Sequence, residues 1–217
     1  MRELIFLLFS FFLIYLISRQ LIKEIYFFLR GIFKSEKMTY IILWLIFFPG
    51  TVIHELSHFF AAMILFLPVK DIRLFPQLEE HSIKLGSVHY VKKDFFRGFL
   101  VGVAPVFGAM ISFWIISHLS VNILTYYLIF AIAATMFSSK KDLEDLIYLV
   151  PLVLITGVVI YIFDIKVSFL IEEVFNLNLL TSFLKRVNHY LLISIFIDIF
   201  IFAILKLLRK FFSVFIF

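Results

Sequence analysis

Three side chains that can bind a metal ion and use it stand close together, in the sequence His54-Glu55-Leu56-Ser57-His58. Residues four apart share one face of a helix, with Cβ atoms about 5–6 Å apart. Two imidazoles at that spacing can both reach one Zn²⁺, whose bonds to nitrogen are about 2.0–2.1 Å long. The pattern therefore predicts a zinc site with His54 and His58 as ligands and Glu55 as the base that takes a proton from a metal-bound water.

The segment that carries this motif is apolar on both sides, over residues 41–48 and 59–67. A helix of this composition is long enough to cross a bilayer with tilt. An ionisable group that faces lipid without a partner costs about 2–3 kcal/mol at the centre of such a helix. A group of such side chains therefore needs a partner, and zinc suits two imidazoles. The alternative interpretation is a metal-free cluster that is satisfied by hydrogen bonds between helices.

A catalytic zinc site usually has three protein ligands and one open position. The sequence leaves the third ligand open among acidic residues and the other histidines: Asp142, Glu144, Asp145, Asp164, Asp198, His81, His89, His118 and His189. Residues 138–145 are a polar break in an apolar run, which is tolerated at membrane depth only where it is buried in protein or lines a cavity. If the break is a surface loop, its acidic side chains are merely solvated. Asp198 can instead pair with a polar group such as Ser194 or with another helix.

The composition is that of a membrane protein. Of the 217 residues, 63% are hydrophobic and 16% are charged, whereas soluble domains are about 45–50% apolar and about 25% charged. The apolar residues fall into six segments, which cover about 4–29, 39–67, 96–119, 122–137, 146–163 and 189–208. We therefore predict an all-α polytopic membrane protein with about six transmembrane helices, forming one domain over residues 1–217 in the cell membrane.

Residues 68–95 are the only sizeable polar stretch, and they separate the second and third apolar segments. Apolar and polar residues alternate over 69–75 and 82–91, while residues 76–80 carry turn and charge signals. This pattern predicts a small β-hairpin, and the alternative is an irregular loop at the membrane interface. Residues 164–188 are predicted to be a partly amphipathic connection.

Several other classes of protein are disfavoured. The chain has no cysteine, which excludes disulfides, Cys-ligated metals and a thiol nucleophile. Its formal net charge is +5, but the basic residues stand at the ends of apolar runs, where the positive-inside effect puts them. No nucleic-acid partner is therefore expected. The expected partners are the lipid bilayer and a membrane protein or peptide that serves as substrate.

A family resemblance rests on three stretches. The H-E-x-x-H motif at 54–58 lies on an early apolar segment, a strand-bearing polar stretch follows it, and an aspartate stands two segments later. This order resembles the site-2 protease class of intramembrane metalloproteases. Residues 102–108 (GVAPVFG) are similar to the Gly/Ala-Pro stretch of that class, and residues 138–142 (SSKKD) are similar to its Ser-x-x-Asp variant. The resemblance covers roughly residues 39–150, makes 164–217 an accessory region, and implies that Asp142 is the third zinc ligand.

The chain departs from the pattern of this class at two positions. Leu143 follows Asp142 where many members have glycine, and Gly108 stands where many have an asparagine thought to stabilise the oxyanion. The oxyanion donor therefore stays open, with three possible substitutes: His118, Asn122 and Ser139. The glycines and the proline of 102–108 either shape the cleft or merely let two helices approach closely.

Two other functions remain open on the sequence alone. The same histidine pair could handle a metal ion without hydrolysis, or the chain could be a non-catalytic membrane scaffold that retains the fold. Transporters usually have repeat symmetry and broken helices in matching halves, and the sequence has neither. A pure metal site has no need of Glu55, so its presence favours a zinc metallopeptidase.

Overall fold

The computed structural model describes residues 2–79, 82–84, 86–137 and 177–215, together with the single positions 155, 158, 159 and 162. The described helices are α1 (Arg2–Phe33), α2 (Glu36–Ile64), α3 (Phe95–Ile116), α4 (Ile123–Thr135) and α5 (Leu177–Phe215). Between α2 and α3 lie the strands β1 (Val69–Arg73), β2 (Gln77–Glu79), β3 (Ser82–Lys84) and β4 (Ser87–Tyr90). The fifth predicted apolar segment, 146–163, lies outside the described residues apart from the four single positions.

Four of the described helices are long and apolar enough to cross a membrane: Arg2–Phe33, Glu36–Ile64, Phe95–Ile116 and Asn178–Phe211. The apolar helix α4 has 13 residues, and a helix of that length extends about 20 Å. That is less than the hydrocarbon core of a bilayer, which is about 30 Å thick. The mostly helical fold with candidate membrane spans is thus confirmed, while the count of about six transmembrane helices stays a prediction.

Helices α1 and α5 lie side by side and run in the same direction. Near their N-termini, the Asn188 side-chain amide donates to the main-chain oxygen of Glu3 at 3.0 Å. Further along both helices, Arg209 forms a 2.9 Å ion pair with Glu24. The second contact lies 21 residues after the first on both helices, from 3 to 24 on α1 and from 188 to 209 on α5. The two helices are therefore parallel. Helix α5 begins at Leu177, inside the predicted connection 164–188, and the earlier part of that connection lies outside the described residues.

Helix α2 meets α4 at Gly50, one turn before the histidine motif. A Cβ at Gly50 would overlap the carbonyl oxygen of Ala131 and the hydroxyl of Thr135. One turn earlier, the rings of Phe47 and Phe130 pack with their centroids 5.5 Å apart. Because the backbones approach this closely, α4 supports the part of α2 that carries the motif.

Gly50→Ala is expected to destabilise the protein by about 1–3 kcal/mol, since the added methyl must push main-chain atoms of α4 away. The measurement is the free energy of unfolding of the purified protein in mixed micelles, from a denaturing-detergent titration. Gly31→Ala is the matched control, because a Cβ at Gly31 meets nothing within 4 Å. That control should be neutral or stabilising by up to about 1 kcal/mol. Equal stabilities of the two variants would contradict the close α2–α4 contact.

The predicted β-hairpin is confirmed. Strand β1 pairs antiparallel with β4, and β2 pairs antiparallel with β3 at the tip. Residues 77–79, which were predicted to be part of a turn, form strand β2 instead. The chain enters β1 through a left-handed residue at the end of α2, where Phe66 has φ 54°. There Leu67 N–H donates to Ala62 O at 2.9 Å, which closes the last turn of α2.

The hairpin lies along α2. At its base, Val69 and Tyr90 pack in the cluster that contains Ala62. At the far end of β1, the Trp44 indole N–H donates to Leu74 O at 2.8 Å, and its ring lies 5.2 Å from that of Phe75. Positions 44 and 62 are about 27 Å apart along a helix. The polar stretch therefore follows a candidate membrane-spanning helix over most of its length, which the sequence did not indicate.

Candidate metal centre

The three motif side chains lie on the buried face of α2. Their relative exposures are 3% for His54, 5% for Glu55 and 8% for His58. The same face buries Phe47 and Ala62, at the spacing of three or four residues that defines one side of a helix. The prediction that His54 and His58 share a helix face is therefore confirmed, and the face points into protein.

The two imidazole rings converge edge to face. Their Nε2 atoms are 3.2 Å apart, and their ring centroids are 4.8 Å apart at an interplanar angle of 84°. Two nitrogens bound to one tetrahedral Zn²⁺ at about 2.0–2.1 Å would lie about 3.3 Å from each other. The spacing of His54 and His58 therefore fits two ligands of one zinc ion. The same spacing also permits a weak N–H···N hydrogen bond between the rings.

The tautomer of His58 follows from a second contact. Its Nδ1 lies 2.8 Å from the main-chain oxygen of Val101 on α3. A carbonyl oxygen only accepts, so Nδ1 carries the hydrogen and donates it. The lone pair of neutral His58 is then on Nε2, the atom that faces His54. Metal-binding histidines commonly donate their other N–H to a backbone carbonyl in this way. The contact of His58 with Val101 was not predicted from the sequence.

Glu55 lies against the hairpin at Gly86, between β3 and β4. A Cβ at Gly86 would lie 2.6 Å from Glu55 Cγ and 2.9 Å from Oε1. No glycine among the described residues has a positive φ, so position 86 requires glycine for space and not for backbone conformation. Sequence reasoning missed Gly86. An isolated glycine in an alternating pattern was the available signal, since it often marks a close approach of another segment.

No third candidate ligand joins His54 and His58 in the described part of the chain. Within residues 2–79, 82–84, 86–137 and 177–215, no three His, Asp or Glu side chains are grouped so that they could hold a metal ion. Asp198, which is described, therefore does not complete the pair of His54 and His58. The remaining acidic candidates and one histidine lie outside the described residues: Asp142, Glu144, Asp145, Asp164 and His81.

Asp198 is fully buried inside the bundle. Neither of its carboxyl oxygens has a hydrogen-bond partner among the described residues, and the same holds for the hydroxyl of Ser194. Ser194 and Asp198 therefore do not form the predicted pair with each other, and a pairing of Asp198 with the undescribed part of the chain stays a prediction.

The other described histidines lie apart from the pair, and so does Asn122, one of the three possible oxyanion donors. His89 and His189 are exposed. His118 follows the C-terminus of α3, about 25 Å along the helix from Val101, which contacts His58. The side chain of Asn122 caps the N-terminus of α4. None of the four joins the site, and Ser139 lies outside the described residues.

The stretch 102–108 brings α3 close to the motif helix. A Cβ at Gly108 would overlap the hydroxyl of Ser57, whose Oγ donates to Ile53 O at 2.6 Å. Of the two interpretations of this stretch, the close approach of two helices is observed at Gly108. This contact holds α3 at the distance at which Val101 reaches His58.

No protein-family model, curated protein or solved structure matches this chain. The structure itself gives only a broad description of the protein. It is a mostly helical chain with candidate membrane spans and a buried histidine pair beside a carboxylate.

Proposed function

We propose that this chain is an intramembrane zinc metallopeptidase of the site-2 protease type, built as a bundle of about six transmembrane helices in the cell membrane. Its substrates are membrane-embedded or membrane-proximal peptides. The observation that carries the proposal is the convergence of His54 and His58, with Nε2 atoms 3.2 Å apart. They lie beside the buried Glu55, on a helix long and apolar enough to span a bilayer.

His54, His58 and Asp142 are the proposed ligands of Zn²⁺. When bound, zinc would supply a Lewis acid for the scissile carbonyl and would make a water molecule more acidic. Glu55 takes the proton of that water and returns it to the leaving nitrogen. The position of Phe137 supports Asp142 as the third ligand. Phe137 packs in the cluster that includes Ile53, which is next to His54 in the sequence. Five residues from Phe137 to Asp142 can span up to about 18 Å.

The hairpin is the proposed platform for the substrate. A helical substrate hides its carbonyls in its own hydrogen bonds, so it must unwind before hydrolysis. Strand β4 begins at Ser87, directly after Gly86, which lies against Glu55. Strand β4 pairs with β1 in the described structure, and the proposed mechanism adds an unwound substrate segment as a further strand of this sheet. Non-helical backbone at membrane depth is tolerated only where it is buried in protein or lines a water-filled cavity. The proposed substrate platform therefore lies in such a cavity.

Gly86→Ala is expected to lower the cleavage rate by about 10–100-fold, because the added methyl displaces the Glu55 carboxyl and a misplacement of about 1 Å costs that much. The bound zinc should not change, since position 86 contributes no ligand. The measurement is the rate of substrate cleavage beside the zinc content of the same sample. Gly31→Ala, in open space on α1, should cleave at the wild-type rate. Unchanged cleavage by Gly86→Ala would contradict the role of the hairpin at Glu55.

The test of the proposed function is cleavage of a reporter that carries one transmembrane helix, by the purified protein in liposomes. Wild type and Glu55→Gln are compared, each with and without a zinc chelator. Products from wild type alone, lost with chelator and recovered with added zinc, support the peptidase. Bound zinc without cleavage of any reporter in a helix-sequence panel would leave metal handling as the function. Neither zinc nor cleavage would leave the non-catalytic scaffold.

A further inference from the structure

Pro105 lies in the middle of α3 and is buried. In an α-helix the N–H of each residue donates to the carbonyl four residues earlier. Proline has no N–H, and its ring also pushes that carbonyl away from the helix axis. The carbonyl that Pro105 leaves without its usual helical donor is that of Val101.

This same carbonyl is the one that contacts the proposed zinc ligand. His58 Nδ1 lies 2.8 Å from Val101 O, and both residues are buried. A buried carbonyl without a donor is costly to leave unpaired. The imidazole N–H of His58 therefore replaces the backbone N–H that is missing at position 105.

The described part of the chain repeats this arrangement once more. Pro49 lies inside α2 and removes the helical donor to Leu45. The hydroxyl of Tyr127 on α4 donates to Leu45 O at 3.3 Å. In both cases a proline leaves a carbonyl without its helical donor, and a side chain of a neighbouring helix donates a hydrogen bond to that carbonyl. Pro49 thus offers a matched control that does not involve the histidine pair.

We propose that Pro105 is a positioning residue for the metal site. It exposes the Val101 carbonyl, which holds His58 in the Nδ1–H tautomer and directs the lone pair on Nε2 towards His54. The consequence for catalysis rests on the proposed function. The tautomer itself is a property of the metal-free protein, so it can be measured whether or not the chain is a peptidase.

The first measurement is the ¹⁵N NMR spectrum of the ring nitrogens in metal-free, histidine-labelled protein, with the His58 signals assigned by their loss in His58→Asn. Wild type and Pro49→Ala should carry the hydrogen of His58 on Nδ1. In Pro105→Ala the new backbone N–H competes for Val101 O, so the Nε2–H form should appear. Zinc affinity should fall by about 10–100-fold in Pro105→Ala, as expected for loss of such a partner, and stay unchanged in Pro49→Ala.

A further variant separates the missing N–H from the shape of the proline ring. An L-lactic acid residue at position 105 has neither the ring nor an N–H, so the Val101 carbonyl stays exposed. It should restore the Nδ1–H tautomer and the wild-type zinc affinity. The proposal is overturned if wild-type His58 carries its hydrogen on Nε2, if Pro105→Ala keeps the wild-type tautomer, or if the lactic acid variant behaves as alanine does. If wild-type His58 carries its hydrogen on Nδ1 but the protein binds no zinc, the proposed function is rejected and the role of Pro105 in setting the tautomer stands.

Discussion

Replacement of Glu55 by Gln should lower the rate of peptide hydrolysis by about 10²–10⁴-fold, the usual contribution of a general base. The amide keeps the size of the side chain beside Gly86 but cannot take a proton at neutral pH. Zinc should stay at about one per chain, because a catalytic site of this type has two His and one carboxylate as ligands and Glu55 is not among them. The measurements are the single-turnover cleavage rate in liposomes and the metal content of the same preparation.

The control for this substitution lies on the same helix. Glu36→Gln makes the same chemical change at the start of α2, where Glu36 is exposed and forms a 3.6 Å ion pair with Arg30. An exposed pair of this kind contributes little to stability, so this variant should cleave at the wild-type rate. If Glu55→Gln cleaves as fast as Glu36→Gln does, Glu55 is not the base and the proposed mechanism is wrong.

Loss of one metal ligand should remove the zinc. Wild-type protein purified in detergent is expected to hold about one zinc per chain. His54→Ala, His58→Ala and Asp142→Ala should each lose nearly all of it, because two remaining ligands in a site built for three bind zinc far more weakly. The measurement is metal content by mass spectrometry after removal of loosely bound ions, with activity followed in parallel.

His89→Ala is the matched control for the histidine variants. His89 is exposed on β4 and belongs to the same hairpin that covers Glu55, yet it does not lie in the histidine pair, so zinc should be retained. Asp198→Asn tests the other buried carboxylate, and it should also retain zinc. Retention of zinc by Asp142→Ala would reassign the third ligand. Absence of metal from the wild type would favour the alternative interpretation, in which His54 and His58 belong to a metal-free cluster satisfied by hydrogen bonds.

The local structure could be predicted from sequence to a large extent. The spacing of His54 and His58 placed both on one face of a helix, and alternation over 69–75 and 82–91 indicated the hairpin. Both signals arise from periodicity within one element, which is a local property of the chain. The start of α5 at Leu177 was missed, because a helix that is partly amphipathic has the same composition as a polar connection. The third ligand remains a prediction from resemblance.

The sequence by itself determined which side chains could do chemistry and that they stand on a helix suited to a membrane. Only the tertiary structure decided what surrounds them. Gly86 lies against Glu55, and the Val101 carbonyl accepts a hydrogen bond from His58. Both contacts join segments distant in sequence, and each uses a backbone atom or the absence of a side chain. Such contacts depend on how the elements pack. An isolated glycine or a proline within a helix can mark where another segment approaches, but it does not say which side chain arrives there.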